Sequence, residues 1–325
     1  MSNYIDYIKW RGDLPFSAVP FCEVDAMILS ELVYIDMTGI INEDFTFNDR
    51  TCRDVCMSLL PKLNTSDPIG KKLYSVAEAA MSAKRFADIR MCGYAEDTDT
   101  RTHKQFAAVL YELGGDQYFV AYRGTDSSLV GWKENMDLAY FEEIPSQKAA
   151  VKYLNEVTKV FKGTFYAGGH SKGGNLAVYA AAFSYKRAAG KVKAVYNFDG
   201  PGFNGLVISK DRFKETEGKV HTFVPQNSLI GLLLKHQEPY TIIKSTKTNG
   251  LYEHQMDTWE VGPLEIVREK DFGSSGRILN ENITEWIDSM TYDEKKQFID
   301  VIYSLVDEFD EVEDHLSAGE FVGNR

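Results

Sequence analysis

The chain has 325 residues, 44% of them hydrophobic and 26% charged, enough apolar material for one large domain or two modest ones, which excludes disorder throughout. Its net charge of −12 argues against an electrostatically driven nucleic-acid binder, since such affinity rests largely on neutralising phosphates. The acid is unevenly spread: residues 281–325 hold 13 acidic and 3 basic side chains, so the first 280 residues are almost neutral. Four cysteines (Cys22, Cys52, Cys56 and Cys92) are too few and too scattered for a disulfide scaffold. Cys52 and Cys56 can share a helix face, but no Cys/His set stands at zinc-ligand spacing, so the thiols read as reduced and structural and no metal or cofactor is expected. The first residues lack a basic region followed by an apolar run, and the apolar run 229–234 falls far short of the roughly 18 residues of a membrane span. A soluble cytoplasmic protein is the expectation.

In chain order, the first hundred residues read mostly as helix and loop. Residues 23–34 carry Ile28, Leu29, Leu32 and Val33 at helical spacing, and residues 76–87 are rich in alanine. The pattern changes at Gln105, where two apolar runs, 106–111 and 118–122, are joined across Gly114-Gly115-Asp116 as a hairpin. A helix is predicted over 148–161, with Val151, Leu154, Val157, Val160 and Phe161 on one face. Short strands follow at 164–167, 192–198 and 219–224, with an Ala-rich helix over 172–187 between the first two. Further strands are predicted at 241–247 and 259–267. Near the C-terminus Thr291 and Glu294 form a capping-box pattern, and Phe298, Val301, Ile302, Leu305, Val306 and Phe309 make an apolar stripe beyond it. Buried strands alternating with helices predict an α/β fold with a mostly parallel sheet covered on both faces. The economical organisation is one domain over 1–325: a helical N-terminal region (1–100), a sheet core (101–270) and an acidic helical extension (271–325).

Gly169-His170-Ser171-Lys172-Gly173 matches G-x-S-x-G. The bare pattern arises by chance in roughly one chain in ten of this length at ordinary Gly and Ser frequencies. Its setting raises it, because an apolar strand precedes and an Ala-rich helix follows, the strand–turn–helix context in which such a serine is a nucleophile. A sharp turn presents the hydroxyl at a helix N-terminus, where backbone N–H groups favour developing negative charge. Lys172 supplies one of those N–H groups through its backbone, and His170 reads as a packing or orienting residue. The competing readings are a plain Gly-rich turn and a phosphate cradle.

The predicted strand 118–122 runs directly into Arg123-Gly124-Thr125-Asp126, followed by Trp132 and Asn135. This junction, with the serine motif, resembles the class 3 (fungal-type) lipases, and the resemblance implies an α/β-hydrolase fold in which Thr125 completes the oxyanion hole. Phe21-Cys22-Glu23-Val24-Asp25-Ala26, Ala121-Tyr122-Arg123-Gly124-Thr125-Asp126 and Asn197-Phe198-Asp199-Gly200-Pro201-Gly202-Phe203 are similar to a bacterial subfamily of lipase-like hydrolases of unestablished function, over about residues 4–303. The resemblance implies the fold strongly and the substrate weakly.

A triad also needs an imidazole and a carboxylate, in the order Ser, acid, His for this fold. Of the four histidines after Ser171, His221 sits mid-strand where a buried or face-lining role is expected, His236 follows the apolar run, and His315 lies in the acidic tail. His254, in a loop between two late strands, is the predicted base, and its segment also resembles the subfamily's His-containing loop. For the acid, Asp199 ends strand 192–198; its bland reading is a turn residue before Gly-Pro. In class 3 lipases the acid usually follows the next strand, but here Val224-Pro225-Gln226-Asn227-Ser228 offers no carboxylate. Either Asp199 serves, the favoured choice, or Ser228 or Asn227 orients His254 as a neutral partner.

These residues predict a serine esterase of lipid or acyl esters that needs no cofactor, with Leu229, Leu232 and Leu233 lining an acyl pocket, forming a lid, or lying in an ordinary core helix. The alternatives are a non-catalytic lipid-binding or regulatory protein on the same scaffold, or thioesterase or peptidase chemistry at the same site. The expected partner is a small-molecule or lipid ester, with no nucleic acid and no membrane span; peripheral lipid contact is compatible. The acidic run 307–314 would repel an anionic bilayer and face away from it.

Overall fold

Seven strands pair in sequence order, β1 Arg90–Asp99, β2 Lys104–Gly114, β3 Gln117–Tyr122, β4 Thr164–His170, β5 Val192–Phe198, β6 Val220–Pro225 and β7 Tyr240–Ile243. The computed structural model describes residues 2–125, 134, 135, 137, 138, 141–274, 276, 277, 289–291, 293, 294, 297 and 301. Strands β1 to β3 are antiparallel, because short turns join them; β3 to β7 are parallel. The β3–β4 connection contains the helix Pro145–Val160 and the β4–β5 connection the helix Lys172–Phe183. This mostly parallel sheet with helices is an α/β-hydrolase-like fold.

Both sheet faces are covered, and the period-2 alternation of strand side chains divides them. Leu110, Val120, Tyr122, Phe165, Ala167 and Val195 pack with Leu154, Val157 and Leu176 of the two crossover helices. Tyr111, Phe119, Ala121, Tyr166, Tyr196 and Phe198 pack instead with the N-terminal helices α1 (Tyr4–Arg11), α2 (Glu23–Leu32), α3 (Cys52–Leu59) and α4 (Pro68–Ser82). The N-terminal region is thus the second covering layer of the sheet. Arg85, in the short helix α5 (Lys84–Ala87), makes a bidentate ion pair with Asp25 of α2 at 2.7 and 2.6 Å, both side chains fully buried. The remaining guanidinium hydrogens go to the carbonyls of Leu14, Val19 and Pro20, so the pair is saturated as burial demands. The crossover helices are α6 (Pro145–Val160) and α7 (Lys172–Phe183).

Several elements differ from the sequence reading. Strand β1 lies where helix and loop were predicted: Gly93 sits at φ +66° in a register irregularity between Cys92 and Ala95, and the acidic second half of the strand disguises it. Strand β4 runs through Gly168, Gly169 and His170, which pair with β3 and β5. The helix predicted over 172–187 breaks after Phe183 and resumes as Lys186–Ala189. The strand predicted at 259–267 is reduced to isolated bridges, with Gly262-Pro263 between Val261 and its partner Ile266. The run 229–234 forms turns, not a core helix, and Leu234 adopts φ +65°. Cys52 and Cys56 do share a helix face, with sulfurs 3.8 Å apart, and all four cysteines are free. Thr291 and Glu294 make the reciprocal capping bonds. Apart from Val301, which is exposed, the C-terminal apolar stripe and the acidic run 307–314 lie outside the described residues. Among the described residues, no helix is long and apolar enough to cross a membrane.

Candidate active site

Ser171 stands between the last residue of β4 and the first of α7, at φ +56° and ψ −130°. A non-glycine residue rarely adopts such a conformation, and it persists only where the surroundings over-determine it. They do so here. Ser171 N donates to Phe198 O at 2.9 Å, and its own carbonyl accepts from Gly174 N at 2.9 Å. The motif glycines follow from the same crowding. A methyl group on Gly173 would lie 2.2 Å from Tyr122 O, and one on Gly169 would lie 2.4 Å from both Tyr122 O and Gly173 C. Strand and helix therefore meet through bare backbone. Lys172 is the first residue of α7, a position where the backbone N–H points along the helix axis toward the N-terminus.

The segment after β3 passes beside the serine. A methyl group on Gly124 would be 3.4 Å from Ser171 Cβ and 2.5 Å from His170 O. Arg123 N extends the strand pairing to Ala107 O, and its guanidinium pairs with Glu96 at 2.6 Å. Thr125 Oγ1 donates to Asn135 Oδ1 at 2.9 Å. Asp126 and Trp132 lie outside the described residues.

His254 follows the short helix α8 (Gly250–Glu253), so it sits at a helix end, not simply in an open loop. Its Nδ1 donates to Asp199 Oδ2 at 2.7 Å, and its ring centroid is 4.4 Å from that of His170, the neighbour of Ser171. Asp199 terminates β5 at φ +51°, a left-handed conformation that aspartate tolerates better than most residues. The turn beneath it is held by Asn197, which accepts from Gly200 N at 3.0 Å, and by Asn175, which donates to the carbonyls of Pro201 and Gly202. The carboxylate is fully buried. Burial raises its pKa, against the lowering effect of His254, of Ser228 Oγ at 2.6 Å and of the Gly231 backbone.

The two neutral residues proposed as substitutes for the acid have other partners. Ser228 bonds to Asp199 and accepts from Gly231 N at 3.0 Å, so it holds the carboxylate and not the imidazole. Asn227 binds the buried Glu253 through both its backbone and its side chain, at 2.9 and 2.7 Å. Among the other histidines, His221 is exposed and stacks on Tyr196, where a buried or face-lining position was expected. His236 bridges Glu238 and Gly231 O at 3.0 and 2.8 Å, and His315 lies outside the described residues. Leu232 is buried, while Leu229 and Leu233 are half-buried.

Sequence reasoning read His170 as a packing or orienting residue but did not find its partners, nor that of the Lys172 side chain. His170 Nε2 donates to His254 O at 2.7 Å, and its Nδ1 faces Tyr34 Oη at 3.3 Å. Burial, then the nearby His254 and Lys72, push its pKa well below the ordinary imidazole value, which keeps the ring neutral. The Lys172 side chain is 1% exposed and pairs with Glu134 at 2.7 Å. A lysine opening an otherwise apolar helix was the available signal for that pair.

A family model described as Mbeg1-like matches residues 80–304. The chain belongs to the Mbeg1-like family. The match takes in the whole sheet and every residue of the Ser171–His254–Asp199 cluster; the N-terminal helices α1 to α3 precede it. No curated protein matches the chain. Among solved structures, M37 lipase is similar at 12% identity and a TM-score of 0.38, covering 65% of this chain and 69% of that one. The Rhizomucor miehei lipase propeptide complex is similar at 10% identity and a TM-score of 0.36, covering 67% and 83%.

Proposed function

We propose that this Mbeg1-like protein is a serine hydrolase that cleaves carboxylic esters with an acyl or lipid-like chain. The observation that carries the reading is the Asp199–His254 pair, 2.7 Å apart, packed against the turn that holds Ser171 at φ +56°. With Nδ1 of His254 donating to Asp199, Nε2 is the nitrogen that takes the Ser171 hydroxyl proton as Oγ attacks the ester carbonyl. The carbonyl π electrons move onto oxygen, and the Lys172 and Thr125 backbone N–H groups stabilise that oxyanion. Collapse expels the alcohol, which receives the proton from His254. Water then attacks the acyl-enzyme by the same route, and the acid is released.

Thr125 Oγ1 donates its one proton to Asn135 in the resting site, so the side chain is held in one rotamer and the backbone N–H is the oxyanion donor of this residue. The non-catalytic reading rested on the missing carboxylate after β6. Asp199, from the preceding strand, supplies one, so nothing specific favours that reading. Leu229, Leu232 and Leu233 follow Ser228 in the turn that contacts Asp199, and they are the proposed acyl contacts.

The test is turnover of p-nitrophenyl esters of graded acyl length, with and without micelles and with an acyl thioester in the same panel. Turnover by wild type that disappears in Ser171→Ala supports the reading, and the ranking identifies the substrate class. No turnover of any member by folded wild-type protein would sink it.

A further inference from the structure

We propose that Glu134 is a positioning residue for the oxyanion hole, acting through its buried ion pair with the side chain of Lys172. The inference rests on the hydrolase reading above and concerns the side chain of Lys172, where that reading uses only its backbone.

Lys172 Nζ lies 2.7 Å from Glu134 Oε2 and 2.8 Å from Gln105 O. The two side chains are 1% and 0% exposed. The Glu134 carboxylate also accepts from Gln105 N at 3.0 Å, Ser146 N at 2.9 Å and Ser146 Oγ at 2.6 Å. Four donors from three separate elements, the starts of β2, α6 and α7, converge on one carboxylate. Such a pair is a poor source of stability, because desolvating two charges offsets most of their attraction; its attested use is to fix one geometry among alternatives.

The geometry fixed here is that of the two proposed donors. Thr125 lies just beyond the end of β3, and Glu134 and Asn135 belong to the same connection to β4. Asn135 holds the Thr125 hydroxyl, while Glu134 holds the side chain whose own backbone N–H is the other donor. Consecutive residues thus tie one half of the hole each, and the ion pair sets the register between the post-β3 segment and the N-terminus of α7. An apolar side chain at position 172 would pack there without referring to that segment at all. The ammonium is engaged by the Glu134 carboxylate and the Gln105 carbonyl, so Lys172 Nζ is not the base.

The experiment compares wild type, Glu134→Gln and the double variant Lys172→Met/Glu134→Gln on a short p-nitrophenyl ester, with kcat expressed per active site titrated by a fluorophosphonate. The double variant leaves no unpaired buried charge, so it tests the tether even if Glu134→Gln alone fails to fold. The expected result is a kcat lowered on the order of 10- to 100-fold, the effect of an ångström-scale displacement of catalytic groups. KM should stay within about threefold, and affinity for a trifluoromethyl ketone, which forms the oxyanion, should fall in parallel with kcat/KM. A merely structural pair predicts instead a lowered Tm with unchanged kcat per titrated site, and that result overturns the proposal while leaving the hydrolase reading intact. Wild type that neither titrates nor turns over overturns both.

Discussion

In Asp199→Asn the buried side chain keeps its size and loses its charge. The wild-type carboxylate accepts from Ser228 Oγ through one oxygen and from His254 Nδ1 through the other. In the variant the amide oxygen serves the first partner, and the NH2 group faces Nδ1. That nitrogen must then accept, which places the imidazole proton on Nε2, the wrong side to receive one from Ser171. A wrong tautomer in an otherwise intact triad costs about 10⁴ in kcat, or roughly 5 kcal/mol of barrier at 1.36 kcal/mol per tenfold. Stability moves the other way. Because burial raises the Asp199 pKa, the ionised form is disfavoured in the folded protein, and this cost appears as pH rises through the folded pKa. Asparagine removes it, so Tm at neutral pH should be no lower than that of wild type. The assay is turnover of p-nitrophenyl butyrate at saturation beside a thermal melt. A variant that retains a tenth or more of wild-type kcat would refute the assignment of the acid.

Gly173→Ala places a methyl group 2.2 Å from Tyr122 O and 2.9 Å from Gly124 N. Overpacking against backbone costs about 1–3 kcal/mol or more, so a melt should show a clear loss of Tm together with loss of turnover; a variant indistinguishable from wild type would contradict the close approach of β3 and α7. His170 has a depressed pKa in the fold, so below about pH 6.5 the unfolded chain binds a proton that the native state refuses. Stability should therefore fall with decreasing pH in that range by up to about 1.4 kcal/mol per pH unit from this group, and denaturant titrations of His170→Asn should show a shallower slope; equal slopes would contradict it. Burial and the neighbouring Asp25 push the Cys22 thiol up to about 12, and burial does the same for Cys92. Iodoacetamide at pH 8 should leave both unmodified in the folded protein, as peptide mass spectrometry would show, and fast alkylation of either would be a failure.

How much of this was legible in the residues depended on whether the signal was local. The turn at Ser171 is local: an apolar strand, G-x-S-x-G and an Ala-rich helix follow one another in the chain, and the observed φ of Ser171 is what that sequence of constraints produces. Asp199 was legible for a related reason, as a carboxylate at the C-terminal end of a predicted strand in a parallel sheet. The partners of Ser228 and Asn227 were not, since one residue's shift along the same turn decides whether a side chain meets Asp199 or Glu253. Strand β1 was hidden because Gly93 and a run of acids look like loop, yet its first half is buried and its polar second half is held by pairing with β2. The Lys172–Glu134 pair joins residues 38 apart, a separation over which no periodicity carries a signal.

The most direct test of the central claim, that Ser171 is the nucleophile, is intact-protein mass spectrometry after exposure to a fluorophosphonate. The account predicts one phosphonyl adduct per chain, on the peptide containing Ser171, absent in Ser171→Ala and slowed by orders of magnitude in Asp199→Asn. Folded wild-type protein with no adduct, or with the adduct on a different residue, would contradict it.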